Sequence, residues 1–111
     1  MNRLRVNGIE ICYALEGSGE PLILIGGFGM TKEFWSLQMG ALASRFRVLA
    51  FDNRGAGEST VPSGPFTMAD MAADTVALMD ALGMDSAHIF GVSMGGMIAQ
   101  VLCIDYQDRI R

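Results

Sequence analysis

One histidine, His88, is all that the 111 residues contain. Hydrolytic and metal-dependent chemistry at neutral pH usually sets a histidine beside the reacting group, so this scarcity weighs on every functional reading. Cysteine is nearly as scarce. Cys12 and Cys103 lie far apart with no CxxC or metal-ligand spacing, which argues against a disulfide-dependent secreted scaffold and leaves both as reduced, buried thiols of a cytoplasmic protein. No Lys/Arg run is present, and 12 acidic against 8 basic residues give a net charge of −4. The electrostatic footprint for nucleic acid is therefore missing, and anionic membrane surfaces are disfavoured. No apolar stretch approaches the ~20 residues of a membrane span. The basic start, Met1 to Gly8, lacks the apolar region of a signal peptide. With 50% apolar and 18% charged residues, a collagen, a disordered tail and a coiled coil are excluded, and one domain over residues 1–111 fits.

What is present alternates between strand and helix. Leu4 to Val6 and Ile9 to Leu15 flank Asn7-Gly8, a pair that tolerates positive φ at both centres of a two-residue hairpin turn. Glu16 to Pro21 reads as a loop, and Leu22 to Ile25 as a buried strand. The apolar spacing from Thr31 to Arg45 predicts a helix with Thr31 as N-cap. Phe46 to Phe51 is a second buried strand, closed by Asp52-Asn53-Arg54-Gly55-Ala56-Gly57-Glu58-Ser59. Thr67 then caps a helix whose stripe runs Met68, Met71, Ala72, Thr75, Leu78, Met79, Leu82, with Gly83 at its end. Its methionines serve as core filler. Ala87 to Val92 is a third buried strand. The helix from Met94 to Tyr106 is apolar almost all round, which predicts cover on every side. The order gives an α/β class: an antiparallel hairpin, then parallel strands with crossover helices.

The sharpest motif is Gly91-Val92-Ser93-Met94-Gly95, at the junction of an apolar strand and an apolar helix. A G-x-S-x-G turn in that setting is a nucleophile elbow: the serine sits in strained φ/ψ, and the glycines remove Cβ atoms where strand and helix nearly touch. The alternative is a phosphate-binding turn. Met97 in the place of the P-loop lysine and Ser93 in the place of the second dinucleotide-fingerprint glycine speak against it. Gly26-Gly27-Phe28-Gly29 follows the strand Leu22 to Ile25. Acyl transfer needs two N–H donors aimed at a tetrahedral oxyanion, and the Phe28 and Met94 N–H groups are the candidates. Gly27, Phe28, Met30 and Met94 are the candidate substrate contacts, an apolar mouth.

Gly26 to Gly29, then Asp52-x-Arg54-Gly55-x-Gly57-x-Ser59, then Gly91 to Gly96, in that order, resemble the α/β-hydrolase superfamily over essentially the whole chain. The resemblance is to the branch of 3-oxoadipate enol-lactonases, carboxylesterases, cofactor-free haloperoxidases and carbon–carbon bond hydrolases. It implies a serine hydrolase acting on a small ester or lactone through an acyl-enzyme on Ser93, with no metal and no organic cofactor. Carbon–carbon bond cleavage and haloperoxidase-like chemistry are its alternatives. Gly26 departs from the His-Gly usual there, which leaves the backbone donor of Phe28 intact. Serine at 93, where dehalogenases and epoxide hydrolases carry aspartate, speaks against those two chemistries. The Asp52 to Ser59 segment is expected to shape a turn rather than move protons.

A serine nucleophile needs a base oriented by a third group. In the resembled family the acid and histidine follow well after the elbow, and neither falls within these residues. His88 lies on the strand that leads to Ser93, roughly 16 Å from it along an extended backbone, too far for proton transfer. The resemblance therefore covers the N-terminal half of the fold: strands 1 to 5, ending after the helix that follows the elbow, with cap and C-terminal strands absent. A fragment of a serine hydrolase, a non-catalytic binding module and one half of a split enzyme are the three readings. The strand Ala87 to Val92 would be an apolar edge that invites self-association or a complementing C-terminal segment.

Overall fold

The computed structural model describes residues 2–111. Five strands form one sheet in the order β1-β2-β4-β3-β5. The hairpin is β1 (Asn2–Val6) and β2 (Ile9–Glu16), antiparallel, with Val6 opposite Ile9. Asn7 at φ 51° and Gly8 at φ 79° make the turn as their residue types dictate. β2 then pairs antiparallel with β4 (Phe46–Phe51). β3 (Glu20–Ile25) lies parallel between β4 and β5 (His88–Gly91). β3 begins at Glu20, two residues inside the expected loop, because Glu20 and Pro21 already stand opposite Phe46 and Arg47. β5 is correspondingly shorter than the expected Ala87 to Val92.

Alternation along the strands sends side chains to two faces. Ile23, Ile25, Leu49 and Phe51 face one core with Met71, Leu78, Met79, Ile98 and Leu102. These helical residues belong to α2 (Met68–Ala81) and α3 (Met94–Asp105). Leu22, Leu24, Val48 and Ala50 face the other way, against Trp35 and Met39. α2 carries its start and stop signals locally. Thr67 and Asp70 form a capping box, and Gly83 at φ 73° lets the Met84 N–H reach Met79 O at 2.8 Å and the Gly83 N–H reach Asp80 O at 3.3 Å.

The helix expected from Thr31 is a 3₁₀ turn, Lys32–Trp35, followed by the short α1 (Ser36–Ala43). Thr31 makes no side-chain cap. The Lys32 N–H instead donates to Asp52 Oδ1 at 2.7 Å, so a carboxylate twenty positions away does the capping. α3 also differs from expectation. Ile98 and Leu102 are buried, but Met97, Cys103 and Ile104 are exposed, so the helix is covered on one side and Cys103 is not a buried thiol. After α3 the chain makes a 3₁₀ turn, Gln107–Arg109, and Ile110 pairs parallel with Ala87. The Ala87 end of β5 is thus covered by the residues that follow α3. Among the described residues no helix is long and apolar enough to cross a membrane.

Candidate active site

Ser93 stands at φ 57°, ψ −118°, between the end of β5 and the first residue of α3. A residue with a Cβ in that region carries strain of about 1–3 kcal/mol, so the surrounding contacts must hold it there. They do so by close approach. A Cβ on Gly91 would lie 2.2 Å from Gly95 O, and one on Gly95 would lie 2.1 Å from Ile25 O. Only glycine at both positions lets α3 start this close to β3 and β5. The Val92 N–H donates to Ile25 O at 3.0 Å, and Ser93 O accepts from Gly96 N–H at 2.9 Å as the helix begins. The Ser93 side chain caps nothing and the residue is exposed. Its hydroxyl is left at the N-terminal end of α3, where the helix dipole favours negative charge.

The loop after β3 comes to the same place. A Cβ on Gly27 would meet Ser93 Cβ at 3.1 Å and Val92 O at 3.3 Å. Gly27 to Met30 form a β-turn closed by Met30 N–H to Gly27 O at 3.1 Å, with Gly29 at φ 73° in the third position that such a turn reserves for glycine. Among the described residues, neither the Phe28 nor the Met94 N–H has an acceptor. Gly27, Phe28, Ser93 and Met94 are therefore gathered at one corner. Met30 is half-buried and turns its sulfur back, accepting the Gly27 N–H at 3.0 Å. Phe28 projects its ring outward at 84% exposure.

Phe28 and Met94 also line a cavity of about 80 Å³ whose other wall is Asn53, Arg54, Ala56 and Phe66. The sequence reading gave this second wall no binding role. The signal available for it is that the Asp52 to Ser59 loop leaves the C-terminal end of β4, the sheet edge where α/β folds place ligands. The loop itself is rigidly tied. Asp52 is fully buried and accepts from the backbone N–H of Lys32 and, at 3.0 Å, of Glu58; the Lys32 ammonium is 3.2 Å from it. Burial works against the charge on Lys32, but the hydrogen bonds it donates to Glu33 and Asp52 outweigh it and hold its pKa above the ordinary lysine value. Arg54 grips Asp74 through two bonds of 2.7 and 2.8 Å, which raise the arginine pKa, and Asn7 donates to the same carboxylate at 3.0 Å. Both motif residues, Asp52 and Arg54, are thus occupied in holding structure.

His88 is elsewhere. At the opposite end of β5 its Nε2 sits 3.0 Å from Glu20 Oε1, an oxygen that Arg111 also contacts. Hydrogen bonds from His88 and then Arg111 hold the Glu20 carboxyl below its ordinary pKa. Among the described residues no group of three His, Cys, Asp or Glu is placed to hold a metal ion.

A family model described as alpha/beta hydrolase fold matches residues 20–111. The enol-lactonase from Burkholderia xenovorans LB400 superposes with a TM-score of 0.96 at 35% identity, over 99% of this chain and 44% of that one. A hydrolase from Pseudomonas aeruginosa PA01 gives 0.95 at 38% identity, over 99% and 43%. The protein named "Putative carbamate hydrolase RutD" from Caulobacter segnis is 40% identical over 106 residues, 90% of this chain and 40% of that protein. The chain thus spans about two fifths of the length of the curated relatives it matches.

Proposed function

Because the chain belongs to the α/β-hydrolase family, we propose that Ser93 is the nucleophile of an acyl transfer from a small carboxylic ester or lactone, with the Phe28 and Met94 N–H groups as its oxyanion hole. The observation that carries this is the strained Ser93 backbone at the head of α3, locked by the Gly91 and Gly95 contacts. The Ser93 oxygen adds to the substrate carbonyl carbon while a base takes the hydroxyl proton. The oxyanion collapses, expelling the alkoxide, which recovers that proton. Water, deprotonated by the same base, then cleaves the acyl-enzyme and releases the acid. The lactone of the Burkholderia relative and the carbamate named for RutD both present a carbonyl of this kind.

The base and its orienting acid come from residues other than these 111, since His88 is engaged at the far end of β5. A complementing polypeptide segment supplies them. The surface it covers includes Leu37, Phe90, Met97 and Ile104, all large apolar side chains more than half exposed. Free Cys12 and Cys103 support a reducing, cytoplasmic compartment. Loss of one triad member leaves roughly 10³ to 10⁴-fold catalysis over water in well-studied enzymes, so the chain alone is expected to be a weak esterase.

Added imidazole tests this by standing in for the missing base. Hydrolysis of p-nitrophenyl acetate by the chain should rise with imidazole and saturate with ester, and the whole increment should vanish in Ser93→Ala. Equal rates for the chain and its Ser93→Ala form, in the same imidazole, overturn the assignment.

A further inference from the structure

The Phe28 N–H can serve an oxyanion only if its peptide plane is held, and the structure shows what holds it. A trans peptide is planar, so its C=O and N–H point opposite ways and move together. The plane between Gly26 and Gly27 is pinned at both ends: Asn53 Nδ2 donates to Gly26 O at 3.3 Å, and the Gly27 N–H donates to Met30 Sδ at 3.0 Å. The plane between Gly27 and Phe28 is pinned at its oxygen by Met30 N–H at 3.1 Å. Its remaining end is the Phe28 N–H. Gly27 has no side chain to resist rotation, and a Cβ there would strike Met30 Sδ, Ser93 Cβ and Val92 O, so the restraint has to come from its neighbours.

We infer that Met30 and Asn53 are positioning residues that fix the two peptides around Gly27 and so aim the Phe28 N–H at the oxyanion. This rests on the reading of Ser93 as nucleophile. Asn53 is 3% exposed; its amide orientation follows from its partner, because only the NH₂ can face a carbonyl oxygen. Among the described residues its Oδ1 has no partner, so the bond to Gly26 is the side chain's one hydrogen bond. Met30 is more than an apolar lining. A thioether is a weak acceptor, but here it meets an N–H held within a closed turn.

The test uses the imidazole-assisted, Ser93-dependent rate together with amide exchange by ¹H–¹⁵N spectroscopy. Met30→Leu keeps the volume and removes the acceptor; Asn53→Leu keeps the shape and removes the donor. Each should lower kcat by about tenfold with KM within about twofold, since misplacing one oxyanion donor is milder than the roughly 10² to 10³ lost by removing it. In Met30→Leu the Gly27 amide should exchange faster while amides of β3 and β4 keep wild-type rates. An unchanged kcat in both variants, or an unchanged Gly27 exchange in Met30→Leu, overturns the inference even if Ser93→Ala abolishes the rate. Persistence of the full rate in Ser93→Ala overturns the nucleophile reading, and this one with it.

Discussion

Two ionic clusters sit at opposite ends of the parallel strands, and they are built differently. At the C-terminal end, Lys32 and Asp52 pair with side chains 5% and 1% exposed, and Arg54 grips a nearly buried Asp74. At the N-terminal end, Glu20, His88 and Arg111 share a contact with side chains 58%, 41% and 42% exposed. The first cluster replaces water around its charges with fixed partners, so removing a partner strands a charge. The second leaves its charges to the solvent, which can take over. The candidate site lies at the rigid end, and the single histidine lies at the soft one.

That contrast can be broken or sharpened by substitution. Lys32→Met should have the largest effect, because it leaves Asp52 buried without its cation; a loss of about 3–5 kcal/mol in urea unfolding is expected. Arg54→Met comes next, with about 1.5–3 kcal/mol from two charged hydrogen bonds to Asp74. A wild-type midpoint for either would show that the rigid end is no stiffer than the soft one. The pH dependence separates the clusters by sign. The Lys32 pKa is raised on folding, so its stabilisation is complete below the ordinary lysine value and fades as pH climbs through the folded one. The Glu20 pKa is lowered, so its contribution is present above the ordinary carboxyl value of 4.5 and fades as pH falls through the folded one. Glu20→Gln should therefore remove the loss of stability that Glu20 causes on the acid limb of a pH–stability curve, and Lys32→Met should remove one on the alkaline limb. His88→Gln should do least, leaving both the urea midpoint and the Ser93-dependent rate unchanged. A rate that collapses in His88→Gln would place the histidine in the chemistry and end the contrast.

Features governed by near neighbours were legible in the sequence. Asn7-Gly8 makes its hairpin turn, Thr67 and Gly83 bound α2, and the glycines around Ser93 prefigure the close approach of α3 to β3. Features governed by distant partners were not. Thr31 looks like an N-cap, yet its side chain caps nothing and the first N–H of the turn, that of Lys32, goes to Asp52, because a fully buried carboxylate must be satisfied. Met97, Cys103 and Ile104 look buried by composition, but apolarity cannot say which side of a helix finds a neighbour. The cavity wall of Asn53, Arg54 and Phe66 was not legible for a similar reason: Phe66 reaches it from the end of a loop rich in Pro, Ser and Gly.

Gly26 and Met30 share one volume. A Cβ at 26 would come within 3.2 Å of Met30 Cβ, tighter than ordinary contact, and a larger side chain would need the space the thioether occupies. The two positions are consequently coupled through that contact. Because the nearest atom is the Met30 Cβ, a side chain at 26 asks the Gly27–Met30 turn to give by a few tenths of an ångström whatever side chain stands at 30.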